Sequence, residues 1–254
     1  MRQPQHISTQ IGRDAEWALR VDLAAAFRLA VTFNWHEAVG NHFSVAVSSD
    51  GRQFLMNPRW RHFARIKASD LPLFDSDDAG TMQRADAPDP SAWCIHGQLH
   101  ARVPHARCVL HVHPPYATAL SALKDPTILP IDQNTARFYQ RVAQDLAYGG
   151  IADHPEEGAR LAAVLGKQRI MMMGNHGVLV TAPTVAEAFD ELYFLERACQ
   201  TLMLAYASGQ PLNVMPPALA ERTAQDWQEY GAASFAHFEE LKRLLDERDD
   251  SYRQ

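Results

Sequence analysis

Three histidines have the types and spacing of a catalytic metal site. His111 and His113 alternate within an apolar run that predicts a β-strand, so both side chains project from one face. The third, His176, lies between Asn175 and Gly177, at a turn between two further strand-like runs. Three neutral imidazoles leave one coordination position of a tetrahedral ion open for a substrate. The pattern therefore favours a catalytic divalent-metal site over a closed structural zinc site, which more often includes cysteines.

A second histidine pair, His96 and His100, falls on a predicted helix. The two side chains share a helix face at the spacing that HExxH zinc proteases use. Gly97 occupies the position of the protease glutamate, so that signature fails. We expect His96 and His100 to be structural polar anchors on a helix that packs near the metal site.

Several polar residues are candidates for substrate contact or proton transfer. Arg59 follows a strand end beside a proline, where its guanidinium either lies in solvent or binds a substrate carboxylate through two hydrogen bonds. Asn41 and Ser44 either cap a turn or contact the substrate. Tyr139 is either a packed aromatic side chain or a proton-transfer group. Ser91 is expected to cap the next helix and is also included among the substrate-binding candidates.

Charge and composition narrow the class of protein. The chain has 254 residues and a formal net charge of -6, and it has no basic stripe, which argues against a nucleic-acid partner. Its longest apolar stretches are interrupted by charges such as Asp22 and Arg28, which argues against a membrane span. Charged residues also precede that stretch, unlike in a signal peptide. Three cysteines without a CxxC pair indicate buried thiols in a reducing cytoplasm.

Helical segments open and close the chain around strand-like segments. Residues 43–47 and 54–56 alternate as strands, and the turn between them predicts an antiparallel hairpin. Helices are predicted over residues 14–34, 91–102, 135–148, 155–166, 184–207 and 218–248, with a short one after Pro115, and further strands over 108–113, 170–173 and 178–180. We therefore expect a single three-layer α/β/α domain over residues 1–254, with a mixed, largely antiparallel sheet. Its core would cover residues 18–210, followed by a helical extension over 218–248.

The motifs occur in an order that resembles the class II aldolase/adducin family. Gly40, Asn41 and Ser44 come first, Asn57-Pro58 follows, and a helix with His96 precedes the HxH and Asn-His-Gly motifs. The resemblance covers residues 18–210. It implies an α/β/α domain, commonly a homotetramer with active sites between subunits. It also implies that His111, His113 and His176 bind one divalent metal ion. Zinc is the expected ion, with manganese, cobalt or iron as alternatives.

Two departures from the sugar-phosphate aldolases of this family change the expected reaction. Those enzymes have a Ser-Ser-Glu run whose glutamate transfers the proton, whereas Ala92 stands at that position here. Their phosphate-binding Thr-Gly loop is replaced by Arg59-Trp60, which suits a carboxylate better than a phosphate. The resemblance therefore implies a family member other than an ordinary sugar-phosphate aldolase.

A metal site without its carboxylate favours reactions in which bond cleavage itself generates the carbanion. We expect a metal-dependent carbon–carbon lyase, either a decarboxylase or a retro-aldolase, that acts on a small hydroxy acid, keto acid or aromatic acid. Reprotonation would come from water or from Tyr139. The alternatives are a non-heme iron oxygenase on the same fold and a non-catalytic, adducin-like interaction domain.

Overall fold

A seven-stranded sheet forms the middle of the protein. The computed structural model describes residues 11–147, 149–150 and 154–254. In the described part the strand order is β3-β2-β1-β4-β7-β6-β5, and only the β5–β6 pair is parallel. The strands are β1 (His42–Ala46), β2 (Gln53–Met56), β3 (Leu73–Asp75), β4 (Cys108–Val112), β5 (Val142–Asp145), β6 (Ile170–Met173) and β7 (Gly177–Ala182). The predicted mixed, largely antiparallel sheet is confirmed.

Helices cover both faces of this sheet. They are α1 (Arg13–Thr32), α2 (Pro90–Arg102), α3 (Pro115–Ser121), α4 (Gln133–Ala136), α5 (Pro155–Leu165), α6 (Val185–Ala207), α7 (Pro217–Glu229) and α8 (Ala232–Asp246). On one face, Phe43 and Leu110 belong to a core shared with α1, α3, α6 and α8. On the other face, Val109 and Leu179 pack against α2 and α5. Because neighbouring strand residues alternate between these cores, the three-layer α/β/α prediction is confirmed.

The β1–β2 turn packs closely against the end of α2. Gly51 has φ 76°, a left-handed conformation that glycine adopts without steric cost. A Cβ atom at this position would lie 2.2 Å from the backbone oxygen of His100. This contact fixes the hairpin against the helix that carries His96 and His100.

The helix predicted from Thr135 to Tyr148 is wrong. The chain forms only the four-residue helix α4, and Gln140 then adopts a left-handed φ of 55° that ends the helical path. Residues 142–145 join the sheet edge as β5, parallel to β6. Apolar residues at helical spacing obscured this edge strand, because pairing with β6 is a long-range interaction that local spacing does not report. Tyr148 itself lies outside the described residues.

Two helix ends also differ from expectation. Ser91 is not the N-cap of α2, because the carboxylate of Asp89 caps the helix and accepts hydrogen bonds from Ser91 N (3.0 Å) and Oγ (2.6 Å). The predicted helix over 218–248 is divided at Tyr230 and Gly231 into α7 and α8. Beyond it, Tyr252 is fully buried in the core shared with α1 and α8.

The cysteines are buried thiols, as the sequence predicts. All three cysteines lie in the described part, are buried and form no disulfide. Burial raises the pKa of the Cys108 and Cys199 thiols, which keeps both protonated at neutral pH. No helix among the described residues is long and apolar enough to cross a membrane.

Candidate metal centre

His111, His113 and His176 meet in one cluster at an end of the sheet. One nitrogen from each imidazole lies within 4.8 Å of the other two. The Nε2 atoms of His111 and His113 are 3.2 Å apart. Ring centroids are separated by 4.8 to 5.0 Å within the trio. The long-range meeting of these residues follows the pairing of β4 with β7, which brings the β6–β7 turn beside the end of β4.

The β6–β7 turn fits against His113 because residue 177 is a glycine. A Cβ atom on Gly177 would lie 2.5 Å from His113 Cδ2 and 2.8 Å from the Val112 carbonyl oxygen. The turn also uses Asn175 at φ 56°, and the Asn175 N–H donates to Ser121 O at 3.1 Å. The absence of a side chain at Gly177 therefore permits this close approach, which sets the spacing between His113 and His176.

The environment keeps these imidazoles neutral. Burial lowers the pKa of His111 well below its ordinary value and that of His176 to about 4, and it also lowers the pKa of His113. The His111 Nδ1–H donates to Val178 O at 3.0 Å, so the Nε2 lone pair is left for a ligand. Backbone carbonyls often orient metal-binding histidines in this way. The donor set and its tautomer therefore fit a divalent metal ion.

A chain of buried polar side chains lies beside the three histidines. His42 Nδ1 is 2.7 Å from His96 Nε2, and His96 Nδ1 is 2.6 Å from Ser44 Oγ. Ser44 Oγ is also 2.7 Å from His100 Nε2, and the His100 Nδ1–H donates to Ala106 O at 2.7 Å. Burial lowers the pKa of His100 to about 4 and that of His96 well below its ordinary value. The expectation that His96 and His100 are polar anchors near the site agrees with this arrangement.

Ser44 is an interior residue. Its side chain is 0% exposed, and its hydroxyl is used by His96 and His100. Because both imidazoles already use this hydroxyl, the structure favours a structural role for Ser44 over the alternative of substrate contact. Ser91 is likewise engaged within the chain, because its hydroxyl donates to Asp89.

Two predicted substrate-binding residues keep unused donors at the same end of the sheet. The strand β2 runs antiparallel to β1, so Arg59 follows it at the end where His42 begins β1. Among the described residues, the Arg59 guanidinium has no hydrogen-bond partner and no ion-pair partner. The Nδ2 atom of Asn41 is buried without a partner in the described part of the chain. Asn57 ties the two loops together by donating to Asn41 O at 3.3 Å. Both loops can therefore present donors to an anion.

Ala92 points into an apolar cluster. It is 1% exposed and packs with Phe54, Met56 and Phe74. An acidic side chain at this position would meet hydrocarbon rather than a polar cavity. The negative charge of Asp89 acts to raise the pKa of His42, whereas burial acts to lower it. Burial is the larger effect and lowers the pKa of His42 to about 3.

Tyr139 lies at the opposite end of the sheet from the three histidines. It precedes β5, and Val142 pairs with Ile170 at the start of β6, whereas His176 follows the end of β6. The Tyr139 hydroxyl accepts a hydrogen bond from Gln140 Nε2 at 3.3 Å. The structure therefore does not bring Tyr139 to the metal site of its own chain.

His42 is the functional candidate that the sequence analysis missed. It is the partner of His111 across the β1–β4 pair, and the two rings stack with centroids 4.8 Å apart and an interplanar angle of 28°. The available signal was the alternation of His42 with Ser44, which repeats the spacing of His111 and His113. The strand pairing that joins the two segments is a long-range interaction.

Comparisons with known proteins agree with this fold. Residues 21–203 match the Class II Aldolase and Adducin N-terminal domain. An aldolase II superfamily protein from Pseudomonas syringae is 33% identical, with a TM-score of 0.87 over 96% of this chain and 98% of that one. Alpha-adducin of Rattus norvegicus is 31% identical over 206 residues, which are 79% of this chain and 27% of adducin. L-fuculose 1-phosphate aldolase from Glaciozyma antarctica PI12 shares the fold, with 23% identity and a TM-score of 0.81 over 100% of this chain and 97% of that one. The chain belongs to the class II aldolase and adducin family.

Proposed function

We propose that the protein is a metal-dependent carbon–carbon lyase, a decarboxylase or retro-aldolase, acting on a small organic acid. The observation that carries the proposal is the cluster of three neutral imidazoles. The Val178 carbonyl oxygen holds the proton of His111 on Nδ1, which leaves the Nε2 lone pair free to bind a metal ion. The family includes both metal-dependent lyases and the non-catalytic adducins. Retention of the complete histidine set favours the first group.

The residues divide the work between metal and substrate. His111, His113 and His176 would hold a divalent ion, with zinc as the proposed ion and manganese, cobalt or iron as alternatives. When bound, this ion supplies Lewis-acid stabilisation of the negative charge that develops on a substrate oxygen. The Arg59 guanidinium suits a carboxylate through two parallel hydrogen bonds. The buried Asn41 amide offers a further donor.

The absence of a carboxylate at position 92 favours loss of CO2 over ordinary aldol cleavage. In a decarboxylation the carbon–carbon bond to the carboxylate breaks, CO2 leaves, and the electron pair stays with the remaining substrate. No base is required for that step, and a proton from water then replaces the lost CO2. Because Ala92 packs among apolar side chains, it offers no group for the proton transfer that the sugar-phosphate aldolases need.

Elemental analysis and product detection test this proposal together. We expect about one equivalent of metal in the purified protein and in a His105→Ala control, whose histidine bonds Gln168 O away from the cluster. His111→Ala should lose the metal while its circular dichroism spectrum is retained. The metal-loaded protein should release CO2 or an aldehyde from a panel of small hydroxy and keto acids. Absence of both products from the panel would reject the lyase, and oxygen uptake dependent on Fe(II) would indicate an oxygenase.

The likeness to alpha-adducin supports a second candidate, a non-catalytic interaction domain. Adducin is 31% identical to this chain over 206 residues, and the aldolase glutamate position is Ala92 here. This candidate predicts no metal requirement. Purification without chelators that yields metal-free, fully folded protein would favour it over the lyase. We also propose a homotetramer, which sedimentation analysis of the metal-loaded protein would test.

A further inference from the structure

The hydrogen-bond chain beside the metal centre has a fixed direction. A carbonyl oxygen only accepts, so Ala106 O requires the proton of His100 to be on Nδ1. A neutral imidazole with its proton on Nδ1 presents a lone pair at Nε2. The Ser44 hydroxyl must therefore donate to His100 Nε2, across the 2.7 Å contact.

The same reasoning continues from Ser44 to the sheet. Because the only hydroxyl proton of Ser44 is used by His100, Ser44 Oγ accepts from His96, and the proton of His96 is on Nδ1. His96 Nε2 is then an acceptor, which requires His42 to donate from Nδ1. The fully hydrogen-bonded neutral chain thus leaves His42 Nε2 without a proton. The Ala106 carbonyl at one end of this hydrogen-bond chain therefore fixes the tautomer of His42 at the other end.

The ring of His42 lies against the histidines of the proposed metal centre. His42 and His111 are opposite one another on neighbouring strands, so both side chains project from the same sheet face. The rings stack, and the imidazoles of His113 and His176 are close enough to act electrostatically on His42. Nδ1 is committed to His96, whereas no described residue forms a hydrogen bond with His42 Nε2. His42 retains 4% exposure.

We propose that His42 Nε2 accepts a hydrogen bond from a hydroxyl group of the substrate and thereby selects hydroxy acids over the matching keto acids. This inference rests on the proposed function, because it assumes that an organic acid binds at the metal centre. A hydroxyl group has a proton to donate to the lone pair. A keto oxygen has none, and its own lone pairs face the nitrogen unfavourably. His96, Ser44 and His100 are positioning residues that hold the required tautomer.

Equilibrium binding to the zinc-loaded protein tests the selection without turnover. The probes are lactate and pyruvate, which differ in the hydroxyl and keto groups and are titrated separately by calorimetry. We expect lactate to bind at least about tenfold more tightly than pyruvate, the size of one buried hydrogen bond. In the variant His42→Asn, the amide nitrogen can still donate to His96 from the position of Nδ1, while the shorter side chain leaves no acceptor atom at the position of Nε2. This variant should reduce the ratio to within about threefold, whereas the control His105→Asn should retain the wild-type ratio.

The possible results separate this inference from the proposed function. Binding of both acids with equal affinity to the wild-type protein would overturn the role of His42 and leave an acid-binding metal site intact. An unchanged ratio in folded, zinc-loaded His42→Asn would also overturn it. If the asparagine variant does not load zinc, His42→Phe keeps an aromatic ring against His111, and the same loss of selectivity is expected. Binding of neither acid to the zinc-loaded wild type would instead reject the proposed substrate class and the inference that rests on it.

Discussion

Replacing Ser44 by alanine should destabilise the protein far more than the loss of one hydroxyl suggests. The hydroxyl bridges two buried imidazoles at 2.6 and 2.7 Å. Its removal leaves His96 Nδ1 and His100 Nε2 without partners in a layer closed to solvent. Each buried polar group left unsatisfied costs about 1–3 kcal/mol, so we expect the two groups together to cost about 2–6 kcal/mol. That is a large part of the roughly 5–15 kcal/mol that stabilises an ordinary domain.

Urea denaturation of the metal-free protein at neutral pH measures this change directly. The matched control is Ser121→Ala, because Ser121 is equally buried but its hydroxyl only donates to the Thr118 carbonyl within its own helix. We expect the control to lose less than about 1 kcal/mol. Equal denaturant slopes would show that both changes act on stability and leave the unfolded state alike. A loss below about 0.5 kcal/mol for Ser44→Ala would refute the directed hydrogen-bond chain.

Three further changes test the site and its surroundings. Gly177→Ala should weaken metal binding by about 10- to 100-fold, because the new Cβ would lie 2.5 Å from the imidazole of His113. Competition with a chelator measures the metal affinity, and an unchanged affinity would contradict this expectation. Ala92→Glu should destabilise the protein by about 3 kcal/mol or more without creating aldolase activity, since the carboxylate enters an apolar cluster; denaturation and an aldolase assay would detect either failure. The metal-free protein should lose stability as the pH decreases from about 6.5 towards 4, by about 1 kcal/mol per pH unit for each of His96 and His100. The reason is that burial lowers the pKa of both imidazoles in the folded protein, whereas the unfolded chain binds protons near the ordinary pKa. This contribution is complete above about pH 6.5, and equal midpoints of urea denaturation at pH 7 and pH 5 would contradict it.

The cluster of the three proposed metal ligands could be predicted from sequence because its signals are local. His111 and His113 alternate within one strand, and Gly177 marks a turn in which a side chain would collide. The assignment of His42 was not accessible in this way. His42 is important because it lies opposite His111 in the β1–β4 pair. The register between two strands this far apart in the chain cannot be predicted from either segment alone.

The main layers of the fold were also predictable, whereas the sheet edges were not. Strands with a buried face show clear apolar patterns, but β3 has three residues and β5 has four, too few to establish a period. In β5 the apolar residues happened to match helical spacing as well. The phenol of Tyr139 suits proton transfer by its chemistry, but the direction of β5 places this residue at the far end of the sheet.

The burial of Tyr252 beside α1 has a consequence for how this chain folds. The Arg28 guanidinium donates to Ser251 Oγ at 3.3 Å, across 223 positions of sequence, and α8 packs on α1 nearby. Helix α1 therefore cannot complete its packing until residues 232–252 have been synthesised. Contacts of such long range slow folding and leave apolar surface uncovered in the growing chain. We expect nascent chains that stop before α8 to remain protease-sensitive, because the packing of α1 is completed only after α8 has been synthesised.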